Sequence, residues 1–112
     1  MTQRMSMWEG YEHLVRRGLK LQTIRVDDPF AVGPVVIFFE RSSGEVVEIP
    51  AEVVSVVSMR RAELTEEIAR VDGFGSLAEL QAALDRHYPG LSAEVSVDVV
   101  SYCLVSGPAA VR

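Results

Sequence analysis

Residues 35–59 constrain this chain more than any other stretch. They read VVIFFE at 35–40, then Ser42-Ser43-Gly44-Glu45, VVEI at 46–49, Pro50, and a valine-rich run from Val53 to Met59. β-Branched and aromatic side chains suit a pleated, half-buried surface, and a short loop containing glycine joins the first two runs, so they predict a hairpin. Pro50 has no N–H to give to a ladder. The second strand is therefore expected to be interrupted, bulged or at an edge there before resuming. A bent strand of this kind suits a small barrel.

The segments on either side complete the pattern. Over 7–18 the apolar Trp8, Tyr11, Leu14 and Val15 recur at helical spacing, Glu9, Glu12, Arg16 and Arg17 take the other faces, and Gly18 is a natural stop. Residues 21–26 suit a strand that Asp27-Asp28-Pro29 ends with turn chemistry, which leaves Lys20 at a helix-to-strand corner. Two helices are expected, over 62–71 and over 77–88. The second opens on the capping box Ser76-Leu77-Ala78-Glu79, carries Leu77, Leu80, Leu84 and Tyr88 as its stripe, and stops at Pro89-Gly90. Over 94–105, Val95, Val97 and Val99 fall at period two while Val100, Tyr102 and Leu104 take the opposite face, which predicts a central strand covered on both sides. Residues 1–6 and 107–112 are expected to be loose ends. The order predicts a single α+β domain over 1–112, with a small curled or barrel-like, mainly antiparallel sheet and helices packed around it.

Composition narrows the function. A chain of 112 residues, 48% hydrophobic and 24% charged, suffices for one core without metals or disulfides. The net charge of −5 disfavours long tracts of RNA or DNA, whose sequence-independent binding needs clustered Lys and Arg, and favours a small polar ligand. Arg16-Arg17 and Arg60-Arg61 leave room for a local positive patch. Cys103 is the only cysteine, and His13 and His87 have no second ligand at metal spacing, so neither a metal nor another cofactor is expected. No apolar run approaches the roughly 20 residues that span a bilayer. Residues 1–8 lack the apolar stretch of a secretory signal, so a cytoplasmic location without a membrane partner is expected. No Ser-His-Asp order, phosphate-cradling loop or dinucleotide fingerprint is present.

The segment Gly18-Leu19-Lys20-Leu21-Gln22-Thr23-Ile24-Arg25 resembles the N-terminal signature of the ASCH family, in the PUA-like superfamily: a helix ending in glycine, a lysine, then a threonine and arginine on the first strand. Val32-Gly33-Pro34, Asp72-Gly73-Phe74, the Ser76 helix and Tyr88-Pro89-Gly90 extend the resemblance over nearly the whole chain. The resemblance implies a PUA-like barrel with a cleft between barrel and helices, and an association with RNA or modified nucleosides. In pattern the chain is nearest to the branch that includes bacterial N(4)-acetylcytidine amidohydrolases. In that branch a lysine, a threonine and an acidic residue carry amide hydrolysis. The first two match Lys20 and Thr23; the third, a glutamate there, matches Asp72 when one residue is inserted near Gly75.

The residues themselves are compatible with that chemistry without requiring it. Thr23 and Arg25, two apart on a strand, share a face, so Lys20 has to lie on the turn. A desolvated lysine with a lowered pKa can serve as the base for a weak hydroxyl nucleophile, and Asp72 can protonate or orient a leaving amine if kept partly neutral. Arg25 suits a carbonyl or phosphate oxygen, and Gln22 and Tyr88 join it as candidate ligand-binding side chains. Plainer readings stand beside these. Lys20 after a glycine stop is a solvated charge at a helix C-terminus, Arg25 pairs with Asp27 or Asp28, Asp72 before Gly73 is a turn residue, and Trp8 and Tyr11 belong to the core rather than stacking on a base. Three functions follow as expectations: a module binding RNA or a nucleoside-type ligand, a small amidohydrolase or ribonuclease, and a non-enzymatic regulatory domain, as a monomer or weak dimer.

Overall fold

The computed structural model describes residues 2–105. Strands β1 (Gln3–Met7), β2 (Gln22–Arg25), β3 (Gly33–Glu40), β4 (Val46–Arg60) and β5 (Ser96–Leu104) form one sheet in the order β1-β3-β4-β5-β2. Only β1 and β3 pair in parallel; every other neighbour is antiparallel. The sheet curls into a half-barrel, and helices α1 (Glu12–Arg16), α2 (Glu66–Val71) and α3 (Leu77–His87) pack around it. The α+β architecture expected from the sequence is the one observed.

The hairpin joins β3 to β4 with Glu40 opposite Val46 and Val36 opposite Pro50. β4 does not break at Pro50. The Pro50 carbonyl accepts a hydrogen bond from Val105 N at 3.1 Å, just past the last residue of β5, so the missing N–H falls where the neighbouring strand has already ended. The irregularity comes four residues later. Tyr102 pairs with Val53 and Ser101 with Ser55, leaving Val54 as the extra residue of a bulge. A bulge increases local twist, which helps β4 serve both ends of the half-barrel.

Within the expected loose end over 1–6, residues 3–6 belong to strand β1. Met5 and Met7 alternate with exposed Arg4 and Ser6 and bury themselves beside β3, with Met5 opposite Ile37 and Met7 opposite Phe39. The Gln3 amide secures the strand by donating to the Ala31 carbonyl at 2.9 Å and accepting from Ala31 N at 2.8 Å. The other expected loose end, 107–112, lies outside the described residues.

Because β1 claims Met7, the first helix is shorter than its spacing suggests: a 3-10 turn over Glu9–Tyr11, then α1. The expected helix over 62–71 is divided likewise, into a 3-10 turn at Arg61–Glu63 and α2. Thr65 starts α2 afresh, its hydroxyl accepting from Ile68 N at 3.2 Å. At α3, Ser76 accepts from Glu79 N at 3.2 Å as a capping box requires. Glu79 reaches one residue further back, to Gly75 N at 3.0 Å.

β5 is central, as its pattern predicts, and its two faces carry two cores. Val100 and Tyr102 join Met5, Ile37, Phe39 and Val53, while Val97 and Val99 join Ile24, Leu80 and Leu84. Among the described residues no helix is long and apolar enough to cross a membrane.

The buried β1 generates a prediction. Met5→Ala should destabilise the fold by about 2–5 kcal/mol, as deletion of a large core side chain does, whereas Val57→Ala on the exposed face of β4 should stay within about 0.5 kcal/mol. Urea denaturation measures both, and a neutral Met5→Ala would contradict the placement of β1.

Candidate functional site

The two edge strands of the sheet, β1 and β2, are brought face to face by its curl. Arg25 of β2 spans the gap: Nη1 donates to the Ser6 carbonyl of β1 at 2.9 Å, while Nε and Nη2 hold Asp28 Oδ2 at 2.9 and 2.5 Å. Between these edges and α3 lies a cavity of about 420 Å³. Its polar floor is formed by Lys20, Thr23, Arg25 and Asp72, and its sides are largely apolar or aromatic, with Trp8, Tyr11, Phe74, Leu84 and Tyr88 among them.

Lys20 and Asp72 make the central contact. Both are 3% exposed, and Lys20 Nζ donates to Asp72 Oδ2 at 3.0 Å and to the Asp72 carbonyl at 3.1 Å. The ammonium also lies 4.6 Å from the Tyr11 ring centroid and 5.6 Å from that of Phe74, so aromatic faces take the place of water. The corner that carries Lys20 is fixed at its backbone, where Tyr102 Oη donates to the Lys20 carbonyl at 2.6 Å. Gly73 allows the approach from the other side. Its φ of +96° suits glycine, and a Cβ there would stand 3.4 Å from Lys20 Cβ and from the Leu19 carbonyl.

Burial moves both groups toward neutrality. Desolvation pushes Asp72 up to about 6, against the pull of the Lys20 charge, and lowers Lys20 from its ordinary value, against the pull of Asp72. Because the folded state holds the Asp72 proton more tightly than the unfolded chain, ionising this carboxyl costs stability. That cost is absent below about pH 4 and fully present above about pH 6. The Gln22 amide also favours the Asp72 carboxylate, yet its well-aligned hydrogen bond goes to the Ile68 carbonyl at 2.7 Å. Among the described residues Asp72 Oδ1 has no hydrogen-bond partner, and it is closed off from solvent as well.

Five of the six candidate residues, Lys20, Thr23, Arg25, Asp72 and Tyr88, line the one cavity; Gln22 is buried behind it and braces α2. Lys20 spends its two hydrogen bonds on Asp72, while the Thr23 hydroxyl is 3.5 Å from Arg25 Nη1. Arg25 does pair with Asp28, as its plainer reading expects. Trp8 is not core: it is 57% exposed at the cavity mouth. His87, whose Nε2 is 3.0 Å from Tyr11 Oη, also lines the mouth and carried no signal beyond its place at the end of a helix. Arg60 pairs with Glu63 and Glu94, and Arg61 is buried against Gln81, Leu91 and Asp85, so this basic pair is structural rather than a patch.

The buried pair is testable as a unit. Removing one partner strands the other charge, so Asp72→Leu should cost about 3–5 kcal/mol, and adding Lys20→Met should recover most of that loss. A double-mutant cycle in urea measures the coupling, and additive costs would mean that the two groups do not interact as described.

No protein-family model matches the sequence, and no curated protein matches it. Solved structures do. An ASCH domain from Lactobacillus crispatus JV V101 superposes with a TM-score of 0.70 at 18% identity, covering 92% of this chain and 80% of that one. Protein EF3133 from Enterococcus faecalis V583, assigned to the family DUF984, gives 0.66 at 16% identity, covering 94% and 77%. The hypothetical protein PH0355 gives 0.66 at 17% identity, covering 94% and 100%. The curled five-stranded sheet with its three helices is thus the fold of an ASCH domain, as the signature at 18–25 leads one to expect.

Proposed function

We propose that this domain binds a single nucleoside-type unit, free or presented by RNA, in the cavity between its two sheet edges. The meeting of Lys20, Thr23, Arg25 and Asp72 with aromatic side chains around one cavity carries the reading. Around it stand the complementary donors of Lys20 and Arg25, the Thr23 hydroxyl and several aromatic rings. A volume of about 420 Å³ suits a small molecule, and mixed polar and aromatic walls suit a heterocycle with both donors and acceptors on its rim. The association of PUA-like domains with RNA agrees with this, while the acidic balance of the chain speaks for one unit rather than a long tract.

A second reading has its own support, the convergence of Lys20, Thr23 and Asp72 on one cavity with both ionisable groups moved toward neutrality. In amide hydrolysis of an acylated nucleoside of the N(4)-acetylcytidine kind, Thr23 Oγ1 would attack the acyl carbon as neutral Lys20 takes its proton. Protonated Asp72 would give a proton to the departing amine, and water would then release the acid and restore the hydroxyl. This chemistry requires Lys20 to turn from Asp72 toward Thr23. Cytidine released from N(4)-acetylcytidine by the parent and not by Thr23→Val would support hydrolysis; release unchanged in Thr23→Val would remove this mechanism.

Binding should depend on pH with a defined sign. Asp72 holds Lys20 in place at the cavity as a carboxylate, so affinity should be flat above about pH 7 and fall on acidification through the carboxyl's value of about 6. Calorimetric titration with the four nucleosides and their acetylated forms measures it. Saturable binding that weakens on acidification is the expected result, and no binding by any nucleoside or short single-stranded RNA at low salt would overturn the proposal.

A further inference from the structure

Trp8 is the one tryptophan of the chain, and it stands 57% exposed while lining the mouth of the cavity. Tryptophan offers one of the largest apolar surfaces of any side chain, so leaving it in water forgoes stabilisation that burial would give. Its position is nonetheless fixed. The ring meets Tyr11 in a T-shaped contact, centroids 5.2 Å apart at 89°, and lies so close over Gly10 that a Cβ there would come within 2.3 Å of two of its carbons. Gly10 sits within a 3-10 turn and needs no left-handed backbone conformation. The indole therefore explains this glycine, and the backbone does not.

We infer that Trp8 is the stacking wall of the cavity, holding the face of a planar heteroaromatic ring whose polar rim meets the floor, and that Gly10 is the positioning residue that lets the indole lie where it does. This rests on the nucleoside reading and deepens it by assigning the ring's faces and rim to different residues. Lys20, Thr23, Arg25 and Asp72 line the polar floor, and Trp8 supplies the exposed aromatic surface at the mouth. A ribose phosphate without a base satisfies the polar groups alone. A benzene-like ring without an N–H satisfies the wall alone. A nucleobase satisfies both. The Trp8 ring centroid is 6.4 Å from that of His87 at a 60° tilt, too close for a base to slide between the two, so stacking uses the part of the indole that Gly10, Tyr11 and His87 do not cover.

Because there is one tryptophan, its fluorescence reports this contact without interference. Titrating the parent with nucleosides should quench it saturably, with the midpoint found by calorimetry, and ribose 5-phosphate should not quench. Trp8→Ala should weaken binding by about 5- to 150-fold, the range base–aromatic stacking yields, while Trp8→Phe should stay within about threefold of the parent. Gly10→Ala should weaken binding by displacing the indole, with far-UV dichroism and melting unchanged because neither residue is buried in the core. Calorimetric binding that is as tight in Trp8→Ala as in the parent, with fluorescence unmoved, would overturn this inference and leave the nucleoside reading standing. Absence of any nucleoside binding by calorimetry would take down both.

Discussion

The bridge from Arg25 to the Ser6 carbonyl joins the two ends of the sheet, and most of the site depends on it. A five-stranded open sheet has two edges with unpaired backbone groups, a hazard that proteins manage by covering or closing them. Here the 15-residue β4, with its bulge at Val54, supplies part of the curvature that turns β1 and β2 toward each other. The strands do not pair. A guanidinium held by Asp28 spans the interval instead, and the room left between the edges is the cavity. Had β1 and β2 zipped together, the barrel would have closed on its own side chains.

The same gap explains where an ion pair can be buried. Lys20 is the only lysine of the chain, and it is 3% exposed on a corner between α1 and β2, opposite the C-terminal end of α2. Two charges removed from water at this depth are weak contributors to stability, since desolvation offsets their attraction. Hydrophobic residues of similar size would hold the corner to α2 at least as well. Stability alone therefore gives little reason for an ion pair at this corner, which is consistent with the binding role proposed for the cavity.

How much of this was legible depends on how local each signal is. The hairpin, β5 and α3 carry their periods within a dozen residues, and Ser76 and Thr23 act on near neighbours. β1 shows its alternation too, in Met5 and Met7, but over five residues at an edge, and its partner β3 lies some thirty residues away. Pro50 was a true constraint attached to the wrong place, because a missing N–H matters only where a neighbouring strand asks for it, and β5 has ended there. At the site, the signature at 18–25 located Lys20, Thr23 and Arg25. The pairing of Lys20 with Asp72 spans 52 positions and follows from the packing of α2, which no short window contains. Trp8 was misplaced for the opposite reason: helical spacing with Tyr11 looks like core until β1 draws Met7 away and the helix begins late.

Charge gives the last step. Arg4, Arg16, Arg25, Arg41, Arg60 and Arg61 all hold carboxylates, so much of the basic complement is neutralised at close range. Little long-range positive field remains to draw a polyanion, which agrees with the net charge of −5. Within the cavity the same balance holds: Lys20 is matched by Asp72, and Arg25 by Asp28. A strongly anionic ligand would have to compete with carboxylates already in place, whereas a neutral ring with alternating donors and acceptors can add hydrogen bonds without displacing them. On the proposed reading, selectivity comes from the pattern of polar groups on the ligand rim and from the aromatic surface that faces it, not from net attraction.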